Sequence, residues 1–110
     1  MTAISSNPII DAKTTPSSAS TASLTVSPNV TTQSVQVLSA NANRLGCYVY
    51  NNSANSVYLN FGATANSSNN MVLPIATFAT WSMPSPIYTG PLAAIRNSGS
   101  GTLLITELTA

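Results

Sequence analysis

Few side chains in this chain are able to carry acid–base, nucleophilic or metal chemistry. They are Asp11, Glu107 and Cys47, with Lys13, Arg44 and Arg96 as the cations, and there is no histidine among the 110 residues. General acid–base catalysis draws mainly on histidine or on a pair of carboxylates. Glycoside hydrolysis by paired acids would require Asp11 and Glu107 to flank one bond, although one lies near the start of the chain and the other near its end. A serine nucleophile without a neighbouring base is not activated. Zinc needs several nitrogen or sulfur ligands where Cys47 stands alone, and calcium needs an acid-rich loop. The glycines Gly46, Gly62, Gly90, Gly99 and Gly101 fall at strand ends or turns and build no phosphate loop. These residues predict a protein that is not an enzyme and takes no cofactor, with a site assembled across subunits as the residual catalytic route. Cys47 opens an apolar strand face and reads as a small core residue rather than a reactive thiol.

Residues suited to binding are easier to find. Tyr48, Tyr50 and Tyr58 form the best candidate interaction surface, because tyrosine covers much area at low entropic cost. The competing reading has them covered by the chain's own loops or N-terminal segment. Trp81 is either a sugar-stacking platform or the closing residue at one end of a β-sandwich. Arg44 and Arg96 lie near strand ends, and Glu107 is the evident internal partner for one of them. They form either a surface ion pair, worth at most about 1 kcal/mol, or an interface pair between subunits. Ile9 and Ile10 complete the interface candidates as the one apolar anchor of the N-terminal segment.

Composition narrows the partners. Lys and Arg number 3, Asp and Glu 2, and the net charge is +1. Nucleic-acid binding needs clustered cations and is not expected. The apolar runs are too short to span a bilayer, so no membrane partner is expected, and the first ten residues lack the pattern of a secretory signal. A lone cysteine fits synthesis in a reducing cytoplasm. Only 5% of residues are charged against about 25% in an average domain. A surface so poor in charge offers little repulsion between neighbouring copies.

The elements that must position these groups are short strands. Residues 1–22 are rich in Ser and Thr and are punctuated by Pro8 and Pro16. This composition suits a disordered tail or an extended docking arm held by a partner surface, and the arm is the reading carried forward. Residues 23–110 alternate as strands do, with apolar positions at Leu24 and Val26, at Val35 and Val37, and along Cys47–Asn51, Val57–Phe61, Met71–Leu73, Phe78–Met83, Leu92–Arg96 and Thr102–Leu108. Turn residues separate the runs and no window keeps a 3.6-residue period. The pattern predicts an all-β fold, a single antiparallel β-sandwich, jelly-roll-like, of about eight strands. A hairpin is predicted around Ser53–Asn55, with Val49 opposite Leu59 and Tyr50 opposite Tyr58. Its inner face would be apolar and its outer face would carry the tyrosines.

The residues of the core now show a likeness. Asn43-Arg44-Leu45-Gly46-Cys47-Tyr48-Val49-Tyr50-Asn51-Asn52-Ser53 leads into Val57-Tyr58-Leu59-Asn60-Phe61-Gly62. Later come Leu73-Pro74, Ile87 through Ile95 (IYTGPLAAI), Ser98-Gly99 and Leu104-Ile105-Thr106-Glu107. Over roughly residues 35–108 this resembles a group of small virion proteins of tailed bacteriophages. The resemblance implies a β-sandwich head decoration (cement) protein, without a catalytic site. It would associate with itself, as a homotrimer, and dock on major capsid protein or another virion protein. Its implied location is the capsid surface of a virion assembled in the host cytoplasm. A tail or fibre/adaptor module, with or without glycan binding, is the alternative within the same likeness.

Overall fold

The computed structural model describes residues 18–67 and 74–110. They form two antiparallel sheets packed face to face. In chain order the strands are β1 (Thr21–Val26), β2 (Val35–Leu38), β3 (Gly46–Asn52), β4 (Tyr58–Phe61), β5 (Thr80–Ser82), β6 (Leu92–Ile95) and β7 (Thr102–Thr109). One sheet has the order β1-β7-β3-β5 and the other β2-β6-β4. The all-β sandwich expected from the alternation is the fold, with seven strands among the described residues rather than eight. The expected strand at Met71–Leu73 and the anchor Ile9–Ile10 lie outside the described residues. β1 begins at Thr21, so the expected arm boundary at residue 22 falls inside a strand.

Alternation sets what each sheet buries. Cys47, Val49 and Asn51 of β3 point inward, as do Leu103 and Ile105 of β7. They meet Val37 and Leu38 of β2, Leu59 of β4, and Leu92 and Ala94 of β6, with Val30, Val57, Ile75 and Met83 completing the core. Each fully buried aliphatic side chain of this kind contributes about 1.5–3 kcal/mol.

Among the described residues no ladder joins strands that follow one another in sequence: β7 pairs with β1 and β3, β3 with β5, and β6 with β2 and β4. The hairpin expected between Cys47–Asn51 and Val57–Phe61 is therefore corrected. After Asn52 the chain crosses from one sheet to the other. Asn51 is the physical reason. Its side chain is fully buried, and its amide nitrogen donates to the carbonyls of Asn55, Ile75 and Ala76 at 2.8, 3.1 and 3.1 Å. Those bonds fold the connection over the end of the core, where a hairpin would have left the amide facing apolar side chains without partners. Tyr50 opposite Tyr58 is overturned with it, because the two stand on different sheets.

Candidate functional site

The outer face of the four-stranded sheet is set by its register. Residues paired across strands share a face. One row runs Leu24, Thr106, Tyr48 and Ser82; the next runs Val26, Leu104, Tyr50 and Thr80; Ala22, Leu108 and Gly46 form a third. No charged residue stands in these rows. Leu24 is 65% exposed, Val26 59% and Tyr48 46%, so large apolar surface lies open on one contiguous patch. Such a patch on a charge-free field marks an interaction surface more often than a solvated one. Tyr48 and Tyr50 were placed on an outer face by alternation, and that is where they stand. Tyr58 lies on the second sheet instead, where its hydroxyl accepts a bond from the Asn97 amide at 3.1 Å. Leu24 and Val26 were read as strand residues but not as candidates. Their exposure follows from their place on the outer face of an edge strand, a register that the sequence does not announce.

The two arginines are not surface groups. Arg44 is 2% exposed and Arg96 1%, which corrects the reading of a surface ion pair. Nor do they stand where an interface pair would need them, because their donors are taken up within the chain. Arg44 Nε donates to Glu107 Oε2 at 2.7 Å. Its Nη1 donates to the carbonyls of Tyr88 and Gly90 at 2.7 and 3.0 Å, and its Nη2 to that of Ser39 at 2.8 Å. Asn41 Nδ2 donates to the same Glu107 oxygen at 3.3 Å. Glu107 is thus the internal partner expected for one arginine.

Arg96 has carbonyl partners only. Nε donates to Val30 O at 2.9 Å, Nη1 to Asn55 O and to Asn51 Oδ1, and Nη2 to Gly101 O at 3.2 Å. Burial draws its pKa below the ordinary arginine value. The close approach of Gly101 needs a residue without a side chain: its φ is +152°, and a Cβ there would lie 2.5 Å from Ser53 Cβ. The arginines sit at opposite ends of the β3–β7 ladder, which runs from Gly46–Leu108 to Asn52–Thr102. Each ties loops of one sheet to the other, so both are structural brackets.

Cys47 is buried, as expected of a core residue. Burial raises its thiol pKa to about 11; nearby Arg44 lowers it and Glu107 raises it, both by less. The inert thiol follows from its surroundings. Trp81 pairs with Val49 in the ladder and so belongs to the inward face. Its ring lies 6.1 Å from that of Phe61, which meets Tyr88 edge-on at 4.8 Å. The three aromatics close one side of the core, which is the sandwich-closing role weighed for Trp81.

A cleft of about 410 Å³ opens between β1 and the β2 edge, lined by Thr25, Pro28, Gln36, Leu38, Asn41 and Glu107. Its one carboxylate is held by Arg44 and Asn41, so the cleft offers no free acid or base.

Comparison with protein-family models, with curated proteins and with solved structures gave no match. The geometry of the surface therefore carries the functional reading.

Proposed function

We propose that this chain is a structural virion protein, a capsid decoration protein that associates with itself and docks on major capsid protein to reinforce a phage head. The observation that carries the reading is the outer sheet face, where Leu24, Val26, Tyr48 and Tyr50 stand without a charge among them. A neutral apolar field suits contact with a repeated protein surface, because no charge must be desolvated to form it. The likeness over residues 35–108 points the same way. A non-enzymatic role agrees with a thiol held protonated, a carboxylate held by arginine and cations enclosed by carbonyls. Several weak contacts on one oligomer would hold a shell through effective concentration rather than through the strength of any one. The tail or fibre reading with a glycan on Trp81 has less support, because that ring turns inward against Phe61.

Co-sedimentation with phage heads that lack a decoration protein tests the proposal. The purified chain should bind at a stoichiometry repeating with the capsid lattice and raise the temperature at which heads release DNA. Binding confined to tails, or no binding at saturating protein, would overturn it.

A further inference from the structure

The four sheet edges are not equally protected. β5 has three residues and runs into Pro84. β2 is broken by a bulge between Gln36 and Leu38. β4 has Val57 bridged to Ile75 at its start, and Asn60 Oδ1 accepts from the Asn66 N–H beside it. These are the usual devices that blunt an edge. β1 carries none of them. Thr21–Val26 is six residues long, exposed along its whole length, and free of charge, proline and bulge.

The direction of its unpaired groups follows from the ladder. Ser27 N–H donates to Leu103 O at 2.9 Å, which makes Ser27 and Leu103 a hydrogen-bonded pair. Such pairs alternate along antiparallel strands, so Ser23 and Thr25 turn their backbone groups toward β7. Ala22, Leu24 and Val26 then aim theirs outward, and no described residue bonds to them. The side chains of the same three residues lie on the open outer face.

We infer that β1 pairs antiparallel with β1 of a second copy of this chain, across a two-fold axis at Leu24, joining two four-stranded sheets into one of eight. In that register Leu24 faces Leu24, and Ala22 faces Val26 on each side. The three outward donors and three outward acceptors of each copy are satisfied together, and Leu24 and Val26 of both copies come together on one face. The alternation of bonded groups brings this about, because the residues with free backbone groups are also those with the exposed apolar side chains. A copy of the same chain suits the edge, since neither strand brings a charge to it. The inference rests on the self-association proposed above and replaces the trimer of the resemblance with a dimer.

A strand of this length spans about 20 Å. Its edge alone buries less than the roughly 1,600 Å² of a standard interface, so the dimer belongs to high local concentration, as on a shell. The two chains enter β1 at opposite ends of the pair.

Sedimentation velocity of the full chain over a wide concentration range, with Leu24→Pro, Leu24→Lys and Leu24→Cys, tests this. The wild type should shift from monomer to dimer. Leu24→Pro removes only an outward N–H, as edge prolines do, and should abolish the shift while the β-sheet circular dichroism persists. Leu24→Lys places like charges opposite each other and should weaken the dimer at least about tenfold; it also serves if the proline variant fails to fold. Leu24→Cys should cross-link into dimers on mild oxidation, whereas Ser82→Cys on the β5 edge should not. A wild type that stays monomeric, a trimer, or a dimer indifferent to Leu24→Lys would overturn the inference. A dimer that meets these expectations but ignores phage heads would leave the edge pairing standing and remove the decoration role.

Discussion

Inside the sandwich the Arg96 guanidinium donates to Asn51 Oδ1 at 3.3 Å, while the amide nitrogen of the same Asn51 donates to Asn55 O, a carbonyl that Arg96 also bonds. Among the described residues no carboxylate lies within ion-pair distance of Arg96. The cation is held by carbonyl dipoles from the end of β3 (Asn51), from the connection after it (Asn55), and from the β1–β2 and β6–β7 connections (Val30 and Gly101). Such an arrangement is cooperative, because the acceptors are shared and losing the guanidinium takes a buried hydrogen bond from each of them at once.

Arg96→Met should lower the free energy of unfolding by on the order of 3 kcal/mol, since it takes the Nε donor from the buried Val30 carbonyl and one donor each from Asn51 Oδ1 and the Asn55 and Gly101 carbonyls. Arg96→Lys keeps the charge but not the planar fork and should still cost about 2 kcal/mol. Urea denaturation followed by tryptophan fluorescence reads both. A lysine variant as stable as the parent would show that charge alone matters here.

At the other end of the β3–β7 ladder, Glu107→Gln leaves Arg44 charged, buried and without its counter-ion. A loss of about 3 kcal/mol is expected. Combined with Arg44→Met, the second change should cost much less than it does alone, because the groups act as a unit. Burial also makes the pair insensitive to salt, so raising ionic strength should not move the difference between Glu107→Gln and wild type.

Cys47 should resist thiol reagents in the native state at pH 8 and react at once in denaturant. Its folded pKa of about 11 stands above the ordinary 9.0, so the folded state holds the proton more tightly. The sign is therefore fixed: its contribution is fully present below pH 9 and is lost as pH rises toward 11. Comparing the pH dependence of unfolding in wild type and Cys47→Val isolates this loss. Equal slopes in the two proteins above pH 9 would contradict the burial argument.

Tyr48→Ser should separate binding from folding. The side chain stands on the outer face, so stability should change by no more than about 0.5 kcal/mol. Binding to phage heads should fall at least about tenfold if the sheet face is the contact. An unchanged affinity would move the contact elsewhere on the molecule.

Sequence alternation was enough to place Cys47 and Val49 inside and Tyr48 and Tyr50 outside, because period-two patterning records which face a strand buries. It does not record which strand lies alongside. Asn51 shows why. As a residue type it signals a turn, and a turn follows, but its burial beneath Asn55, Ile75 and Ala76 sends the chain to the opposite sheet. Arg44 and Arg96 were legible as strand-end residues with too few acids to pair. Their burial was not, because their partners are backbone carbonyls, which every sequence carries at every position. The open edge at β1 was equally hidden, since it arises from the sheet order, which places β1 outermost beside β7.

The absence of any ladder between consecutive strands among the described residues has a kinetic meaning. Every pairing must close a long loop before it is rewarded, and folds of this kind are slow to form, in milliseconds to seconds. β7 lies between β1 and β3, so the larger sheet cannot assemble on the ribosome until Thr102–Thr109 has been made. Until then Leu24, Val26 and the unpaired β1 edge are exposed on an unfinished chain. The window for premature association between nascent copies is therefore set by the time between synthesis of the first strand and of the last.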